Sequence, residues 1–234
     1  MKTQNIVTRA EWLQARRELL EKEKAHTRMK DEITSARLAL PWVKLEKDYQ
    51  FQTDIGTRSF GDLFANRSQL IVYHFMFGPE WDAGCVSCSY WADSFNGLAP
   101  HLAARDISFV AVSSAPMAKI TPFKKRMGWD FTWVSSNQNT FNPDFHVGFP
   151  AGKNTDTPLM YNFMEIDNPP MDEMHGTSVF ARDKDGAIYH TYSTYGRGLD
   201  ITNAAYAYID MTPKGRNESP SGNPMAWVKH HDAY

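Results

Sequence analysis

Two stretches decide the fold of this chain: Gln69-Leu70-Ile71-Val72-Tyr73-His74-Phe75-Met76-Phe77 and, one short loop later, Gly84-Cys85-Val86-Ser87-Cys88. The first is an almost continuous apolar run, typical of a strand buried on both faces of a sheet. The second opens a helical pattern that extends to about residue 104. A second buried strand over 107–112 and a helix over 116–127 are predicted next. This order indicates a βαβ unit, in which functional side chains lie at the carboxyl ends of the parallel strands.

The cysteine pair, Cys85 and Cys88, lies at the predicted helix N-terminus, where unpaired amides and the helix dipole stabilise a thiolate. Residues three apart are neighbours on a helix face, so the two sulfur atoms are within bridging distance. Because the chain has only 2 cysteines, they cannot form a multi-bridge scaffold. We therefore predict a dithiol-disulfide pair without a cofactor, in which Cys85 attacks a disulfide and Cys88 resolves the product. The expected partner is a disulfide- or thiol-containing protein or small molecule.

The charge balance excludes two classes of binding protein. The 234 residues include 25 Lys and Arg against 27 Asp and Glu, which gives a net charge of −2. No field of one sign is therefore available to bind nucleic acid or an acidic membrane surface. The first residues lack the apolar stretch of a signal peptide, and no apolar run is long enough to span a bilayer. We expect a soluble, cytoplasmic protein without nucleic-acid or membrane partners.

Residues 1–41 are predicted to form an N-terminal helical arm. Thr8 followed by Glu11 is a capping box, and Pro41 ends the helical pattern. Apolar residues recur at loose helical intervals, so one face is expected to dock. The sequence leaves two occupants open for that face: the rest of this chain, or a second copy in a homodimer formed through the N-terminal helices.

Residues 42–211 are predicted to form the main domain, and residues 212–234 an irregular tail. Within the domain, residues 136–174 are rich in Asn, Pro and Phe and lack a clear pattern, which indicates an insertion near the site. In the tail, His230 and His231 are expected to be solvent-exposed.

Turn signals predict the remaining elements of this domain. A hairpin is expected to turn over residues 53–56, and a second one over residues 183–186. A short helix over residues 62–64 and a final helix over residues 199–209 complete the prediction.

The sequence around the cysteines resembles a known family. MFGPEWDAGCVSCS over residues 76–89, RAEWL over 9–13 and TPKGR over 212–216 are similar to a bacterial thioredoxin-like family of uncharacterised, predicted dithiol-disulfide oxidoreductases, which carries a domain-of-unknown-function label. The resemblance extends over nearly the whole chain. It implies an α/β fold of the thioredoxin type, with a central mixed sheet flanked by helices and, here, an N-terminal helical extension. It implies no established substrate.

Within the thioredoxin superfamily, the segments 111–116 and 176–180 are most similar to the peroxiredoxin branch. Peroxiredoxins place a threonine or serine three residues before the reactive cysteine and an arginine ahead of a later strand. This sequence has Asp82 and His175 at those places. Because a peroxide would lack its usual hydrogen-bond and cation partners, a thiol peroxidase is an alternative and not the leading function.

The resemblance also suggests which residues surround the cysteines. Thioredoxins place a cis-proline directly before the strand beside the CxxC, where this sequence has Gly176 and Thr177. This difference implies a more open site. Candidates for tuning Cys85 or contacting a substrate are His175, Trp81, Asp82, Thr177 and Arg197.

A metal site is the second alternative. Copper-delivering thioredoxin-like proteins of cytochrome oxidase assembly resemble this chain in joining two cysteines to a distant histidine, although three residues separate their cysteines. Thiolates with imidazole suit Cu(I) or Zn(II), whereas a zinc ribbon would need a second CxxC or a close histidine pair. We expect no bound metal, and the alternative ligand set is Cys85, Cys88 and His175.

Overall fold

The computed structural model describes residues 5–149 and 158–234, and the contacts within it divide the chain into two compact units, Met1–Pro41 and Trp42–Tyr234. The first unit contains one helix, α1 (Arg9–Leu38). It begins with the predicted capping box, in which the Glu11 amide donates to the Thr8 hydroxyl at 3.3 Å and the Glu11 carboxylate accepts from the Thr8 amide at 2.8 Å. Every residue of α1 is exposed or half-buried.

The second unit is an α/β domain. Its strands are β1 (Val43–Lys44), β2 (Gln50–Thr53), β3 (Gly56–Ser59), β4 (Gln69–His74), β5 (Ile107–Ser113), β6 (Thr132–Ser135), β7 (Leu159–Tyr161), β8 (Met164–Ile166), β9 (Gly176–Arg182) and β10 (Ile188–Tyr195). Its α-helices are α2 (Val86–Ala92), α3 (Phe95–Ala103), α4 (Met117–Arg126), α5 (Phe141–Asp144) and α6 (Ala204–Asp210). Short 3-10 helices cover Gly61–Phe64, Gly196–Thr202 and His231–Ala233. Among the described residues, no helix is long and apolar enough to cross a membrane.

The strand order confirms the predicted thioredoxin-like fold. Eight strands form one mixed sheet in the order β1-β10-β9-β4-β5-β6-β2-β3, and β7 and β8 form a separate hairpin. β4, β5 and β6 are parallel, which makes the predicted βαβ unit, and the other neighbours are antiparallel. β9 pairs antiparallel with β4, from Gln69 opposite Ala181 to His74 opposite Gly176. The strand that precedes the cysteines is therefore central in the sheet.

Alternate side chains of β4 enter two separate hydrophobic cores. Tyr73 packs on one face with Phe75, Trp91 and Phe123, which belong to the cluster beneath α2 and α4. Leu70 and Val72 pack on the other face; their aromatic partners there are Phe51, Phe60, Phe64, Phe141, Phe145 and Phe180. Such large buried rings contribute area and preferred edge-to-face contacts. The cysteine loop, residues 75–85 between β4 and α2, therefore packs against a cluster of buried aromatic side chains.

Three predicted elements are shorter or broken in the structure. The strand predicted through Phe77 ends at His74, and the next three residues stay buried while Phe75 donates its amide to Val112 at 2.9 Å. The helix predicted from Cys85 breaks between α2 and α3, where the Ser94 hydroxyl donates to the Trp91 carbonyl at 2.8 Å. The final helix is shorter, because Asn203 caps α6 by accepting the Tyr206 amide at 2.9 Å.

The predicted insertion at 136–174 is only partly described. Residues 150–157 lie outside the described residues, and the remainder contains α5 and the β7-β8 hairpin. Strand β6, which comes directly before it, is not predicted from the sequence, because four residues give too short a pattern.

Candidate active site

Cys85 is fixed at the junction of the central strand and α2. Its amide donates to the Met76 carbonyl at 3.0 Å, and its own carbonyl accepts the Ser89 amide at 2.9 Å as the first turn of the helix. Gly84 precedes it in a tight space, since an added Cβ would lie 2.7 Å from both Phe75 and Phe123. The backbone on each side of Cys85 is therefore held by the strand end and by the helix start.

The environment of the Cys85 sulfur favours its thiolate. The pKa of this half-buried thiol is lowered to about 6, chiefly because the Cys88 thiol donates a hydrogen bond to it; burial opposes this effect. The amides of Cys88 and Ser87 and the Ser87 hydroxyl add further donors. Unpaired amides at a helix N-terminus are expected to act in this way. The Cys85 side chain is therefore predominantly a thiolate at neutral pH.

Cys88 has the opposite character. It is 2% exposed, and burial, followed by the interaction with Cys85, raises its pKa well above the ordinary value for a thiol. The Met76 amide and the Tyr73 hydroxyl act in the other direction. The Tyr73 hydroxyl is buried, has no hydrogen-bond partner among the described residues, and lies near the Cys88 sulfur, whose thiolate it favours. The pair therefore consists of one ionised outer thiol and one protonated inner thiol.

Three of the predicted site residues lie on the loop before the cysteines or beside them. Trp81 is half-buried with its indole over Gly78, and Lys119 donates to the Trp81 carbonyl at 3.0 Å. Asp82 is exposed on the same loop. Thr177 is the β9 partner of Tyr73, so it shares a sheet face with the tyrosine that contacts Cys88.

The other two predicted site residues are His175 and Arg197. The centroid of the His175 ring is 6.1 Å from that of Trp91. Burial lowers the pKa of His175, while a hydrogen bond to the Gly196 backbone acts in the opposite direction. At neutral pH it is an uncharged side chain. Arg197 has a side chain that is 88% exposed and pairs with Asp200 at 3.1 Å.

The alternative metal site is not assembled. Among residues 5–149 and 158–234, no group of three His, Cys, Asp or Glu side chains is placed to hold a metal ion. Cys85, Cys88 and His175 do not form such a group there, and the His175 ring lies near Trp91 and interacts with the Gly196 backbone.

Three residues near the site were not found from the sequence. Tyr73 gave no signal because it belongs to an apolar strand. Glu173 gave none because it lies in a stretch without a clear sequence pattern. His230, expected in solvent, instead donates from Nε2 to the Gly84 carbonyl at 2.9 Å. That contact joins residues 146 apart in the chain, and no local signal in the tail indicates it.

Comparison with known proteins places the chain in a family. Residues 1–234 match the family described as "Bacterial protein of unknown function (DUF899)". The chain belongs to this family. No curated protein matches it.

Solved structures similar to this DUF899 member include peroxidoxin BcpB from Mycobacterium tuberculosis, with 17% identity over 73% of this chain and 97% of the other, and a TM-score of 0.43. A PrxQ mutant from Xylella fastidiosa has 14% identity over 71% and 95% of the two chains, with a TM-score of 0.44. A protein from Chlorobium tepidum described as a thiol:disulfide interchange protein DsbE has 14% identity over 71% and 98%, with a TM-score of 0.40.

Proposed function

We propose that the protein is a thiol-disulfide oxidoreductase in which Cys85 is the nucleophile and Cys88 the resolving thiol. The observation that carries this proposal is the asymmetry of the pair. Cys85 is partly accessible and its pKa is lowered to about 6, whereas Cys88 is buried and its pKa is raised. Disulfide exchange requires one thiolate at the surface and a second thiol held in reserve behind it.

The reaction proceeds in two balanced steps. The Cys85 thiolate attacks one sulfur of a substrate disulfide, which forms a mixed disulfide and releases the other half as a thiolate that takes up a proton. Cys88 then loses its proton and attacks the Cys85 sulfur, which forms the Cys85–Cys88 disulfide and releases the second half as a thiol. The substrate gains two electrons, and the protein dithiol loses them. A dithiol or thiol reductant would return the protein to its starting state.

Disulfide exchange is better supported than peroxide reduction. A peroxidase needs donors and a cation to stabilise the oxygen that leaves, but Asp82 is an exposed acid, His175 is uncharged and Arg197 is paired with Asp200. Disulfide exchange instead uses a second thiol beside the nucleophile, and Cys88 provides it. We place the reaction in the cytoplasm, where thiols stay reduced. Homodimer formation through α1 stays a prediction.

The direct test follows the two thiols by mass spectrometry. Pre-reduced protein mixed with one equivalent of a small disulfide should lose two hydrogen atoms, and both cysteines should then resist alkylation. With reduced protein alone, iodoacetamide should modify Cys85 first, at a rate that rises with pH through a midpoint of about 6. Below that midpoint the thiol is protonated and unreactive. If Cys85 alkylates only above pH 8, or if no disulfide oxidises the pair, the proposal is wrong.

Tyr73 should control the resolving step. Tyr73→Phe removes the hydroxyl that favours the Cys88 thiolate. The attack of Cys88 on the mixed disulfide should therefore slow by about tenfold, the effect expected when one interaction with a charged group is lost. Tyr90→Phe is a matched control, because the Tyr90 hydroxyl is also buried without a partner but does not interact with either cysteine. Stopped-flow measurement of the first and second steps should show a change in the second step for Tyr73→Phe alone. Equal rates in both variants would contradict this role.

A further inference from the structure

A cavity of about 400 Å³ opens beside the cysteine loop. It lies where the chain leaves β5 and β6 and where it approaches β9. Its lining residues are Pro79, Ser114, Ser136, Asn137, Asn139, Asn142, Pro143, Gly148, Phe149, Asp172 and Glu173. Two of these side chains are acidic and none is basic. Clefts at the carboxyl ends of parallel strands are the usual ligand sites of such sheets.

Glu173 is the distinctive group in this cavity. It is 5% exposed, and it accepts hydrogen bonds from the Ser114 hydroxyl and from Asn142 Nδ2, the latter at 3.2 Å. The Asn142 amide is oriented in turn by the Ser136 hydroxyl at 2.8 Å. No Lys, Arg or His side chain pairs with Glu173 in the described part of the chain. Two neutral donors leave a carboxylate with unused acceptor sites, and a buried carboxylate without a cation is costly.

This arrangement leaves Glu173 close to half-ionised in neutral solution. Burial raises its pKa to about 7, and the neighbouring Asp172 adds to that effect, while Ser114 and Asn142 oppose it. Asp172 is the other titratable side chain that lines the cavity. A cation that entered the cavity would restore the ionised form and would displace a proton.

The cavity is connected to Cys85 through adjacent peptide units. The Cys85 amide is bound to the Met76 carbonyl at 3.0 Å, and the Ser114 hydroxyl, which contacts Glu173, donates to the Phe77 carbonyl at 3.4 Å. Because neighbouring residues are about 3.8 Å apart, the Cys85 amide and the Ser114 hydroxyl are separated by on the order of 10 Å. The Cys85 amide and the Ser114 hydroxyl at the cavity are therefore both bonded to the Met76–Phe77 segment, and this separation sets the scale of the spacer that a substrate would need.

We propose that this cavity binds a primary ammonium group of the substrate, with Glu173 as its anion, so that the preferred substrates are small disulfides that carry an amine. This inference rests on the proposed thiol-disulfide exchange. An ammonium group supplies one positive charge and three N–H donors, which match the free acceptor sites of Glu173. The Cys85 thiolate attacks the disulfide while the ammonium group holds the remainder of the substrate in the cavity.

The experiment measures single-turnover oxidation of pre-reduced protein by two series of symmetrical disulfides. One series ends in ammonium groups and the other in hydroxyl groups, each with two, four or six methylene groups beside the sulfur. At pH 8 the ammonium series should react about tenfold faster at its best spacer length. At pH 6 the ratio should fall, because Glu173 is then protonated while the amine stays charged. The ratio cancels the titration of Cys85.

Glu173→Gln should bring the ratio of the two series close to one. Glu80→Gln is the matched control, because it removes an exposed charge from the loop before the cysteines that does not line the cavity, and it should leave the ratio in place. If both variants lowered the rate ratio equally, the preference would come from the overall negative charge of this region and not from Glu173. A rate ratio near one in the unmodified protein would also overturn the role of Glu173. If neither series oxidises the protein, the proposed function itself fails.

A measurement on the unmodified protein guards against a variant that does not fold. Butylammonium chloride should inhibit the ammonium series more than the hydroxyl series, with sodium chloride at equal ionic strength as the control. Equal inhibition by the two salts would overturn the proposal without any substitution.

Discussion

Replacing Cys88 with serine should convert the protein into a trap that accumulates a mixed disulfide on Cys85. The first step needs only the Cys85 thiolate, and the second needs a sulfur that the variant lacks. A serine hydroxyl can still donate toward Cys85, so the low pKa of the nucleophile, which comes first from the donor at position 88, should largely survive. Intact-protein mass spectrometry should show one adduct per chain, released by a thiol reductant.

Cys85→Ser is the paired control for the trap. It retains a buried Cys88, which is 2% exposed and protonated because burial raises its pKa. No adduct should form, and the rate of disulfide reduction should fall on the order of 10³-fold or more, as for other lost nucleophiles. An adduct on Cys88 in this variant would reverse the assigned roles. An absence of adducts in both variants would remove disulfide exchange as the function.

The position of the cysteine pair could be predicted because its signals are local. An apolar strand followed by two cysteines three positions apart is a continuous pattern, and the structure places Cys85 at the start of α2 as that pattern requires. The capping box at Thr8 and Glu11 is local in the same sense, and the structure contains both of its hydrogen bonds. Elements with strong periodicity and clear end signals are those that sequence specifies best.

The rest of the site depends on contacts between distant segments. Tyr73 belongs to an apolar strand, and only the packing of α2 on that strand brings its hydroxyl to Cys88. Glu173 acquires its neighbours from Ser114 and Asn142, which are 59 and 31 residues away. His175 was considered as an alternative metal ligand because of its place in the sequence, but in the structure its ring lies near Trp91. Periodicity carries no information about such pairs.

The backbone at Gly84 is the most sensitive point of the site. An alanine Cβ there would lie 2.7 Å from Phe75 and 2.7 Å from Phe123. Both rings are buried, at 1% and 6% exposure, and pack against Trp129 and Trp133. Because these rings are enclosed by other buried rings, Gly84→Ala should lower the free energy of unfolding by about 1–3 kcal/mol, as overpacking does elsewhere.

Gly84→Ala should also change the chemistry of Cys85. Relief of the clash would displace the chain at residue 84, which binds His230 through its carbonyl and leads directly into the helix cap. The donors that lower the pKa of Cys85 are set by that cap, so the midpoint of alkylation should rise from about 6 toward the ordinary thiol value. Denaturant unfolding and the pH profile of alkylation measure the two effects separately.

Gly97→Ala provides the control for this substitution. Gly97 lies inside α3, and an added Cβ there would meet no atom within 4 Å. Alanine in a helix interior is more favourable than glycine by about 1 kcal/mol, so this variant should be more stable and should leave the Cys85 midpoint unchanged. If Gly84→Ala proved as stable as Gly97→Ala and alkylated with the same midpoint, the aromatic layer would be loose enough to move. The low pKa of Cys85 would then not depend on a rigid backbone at the strand–helix junction.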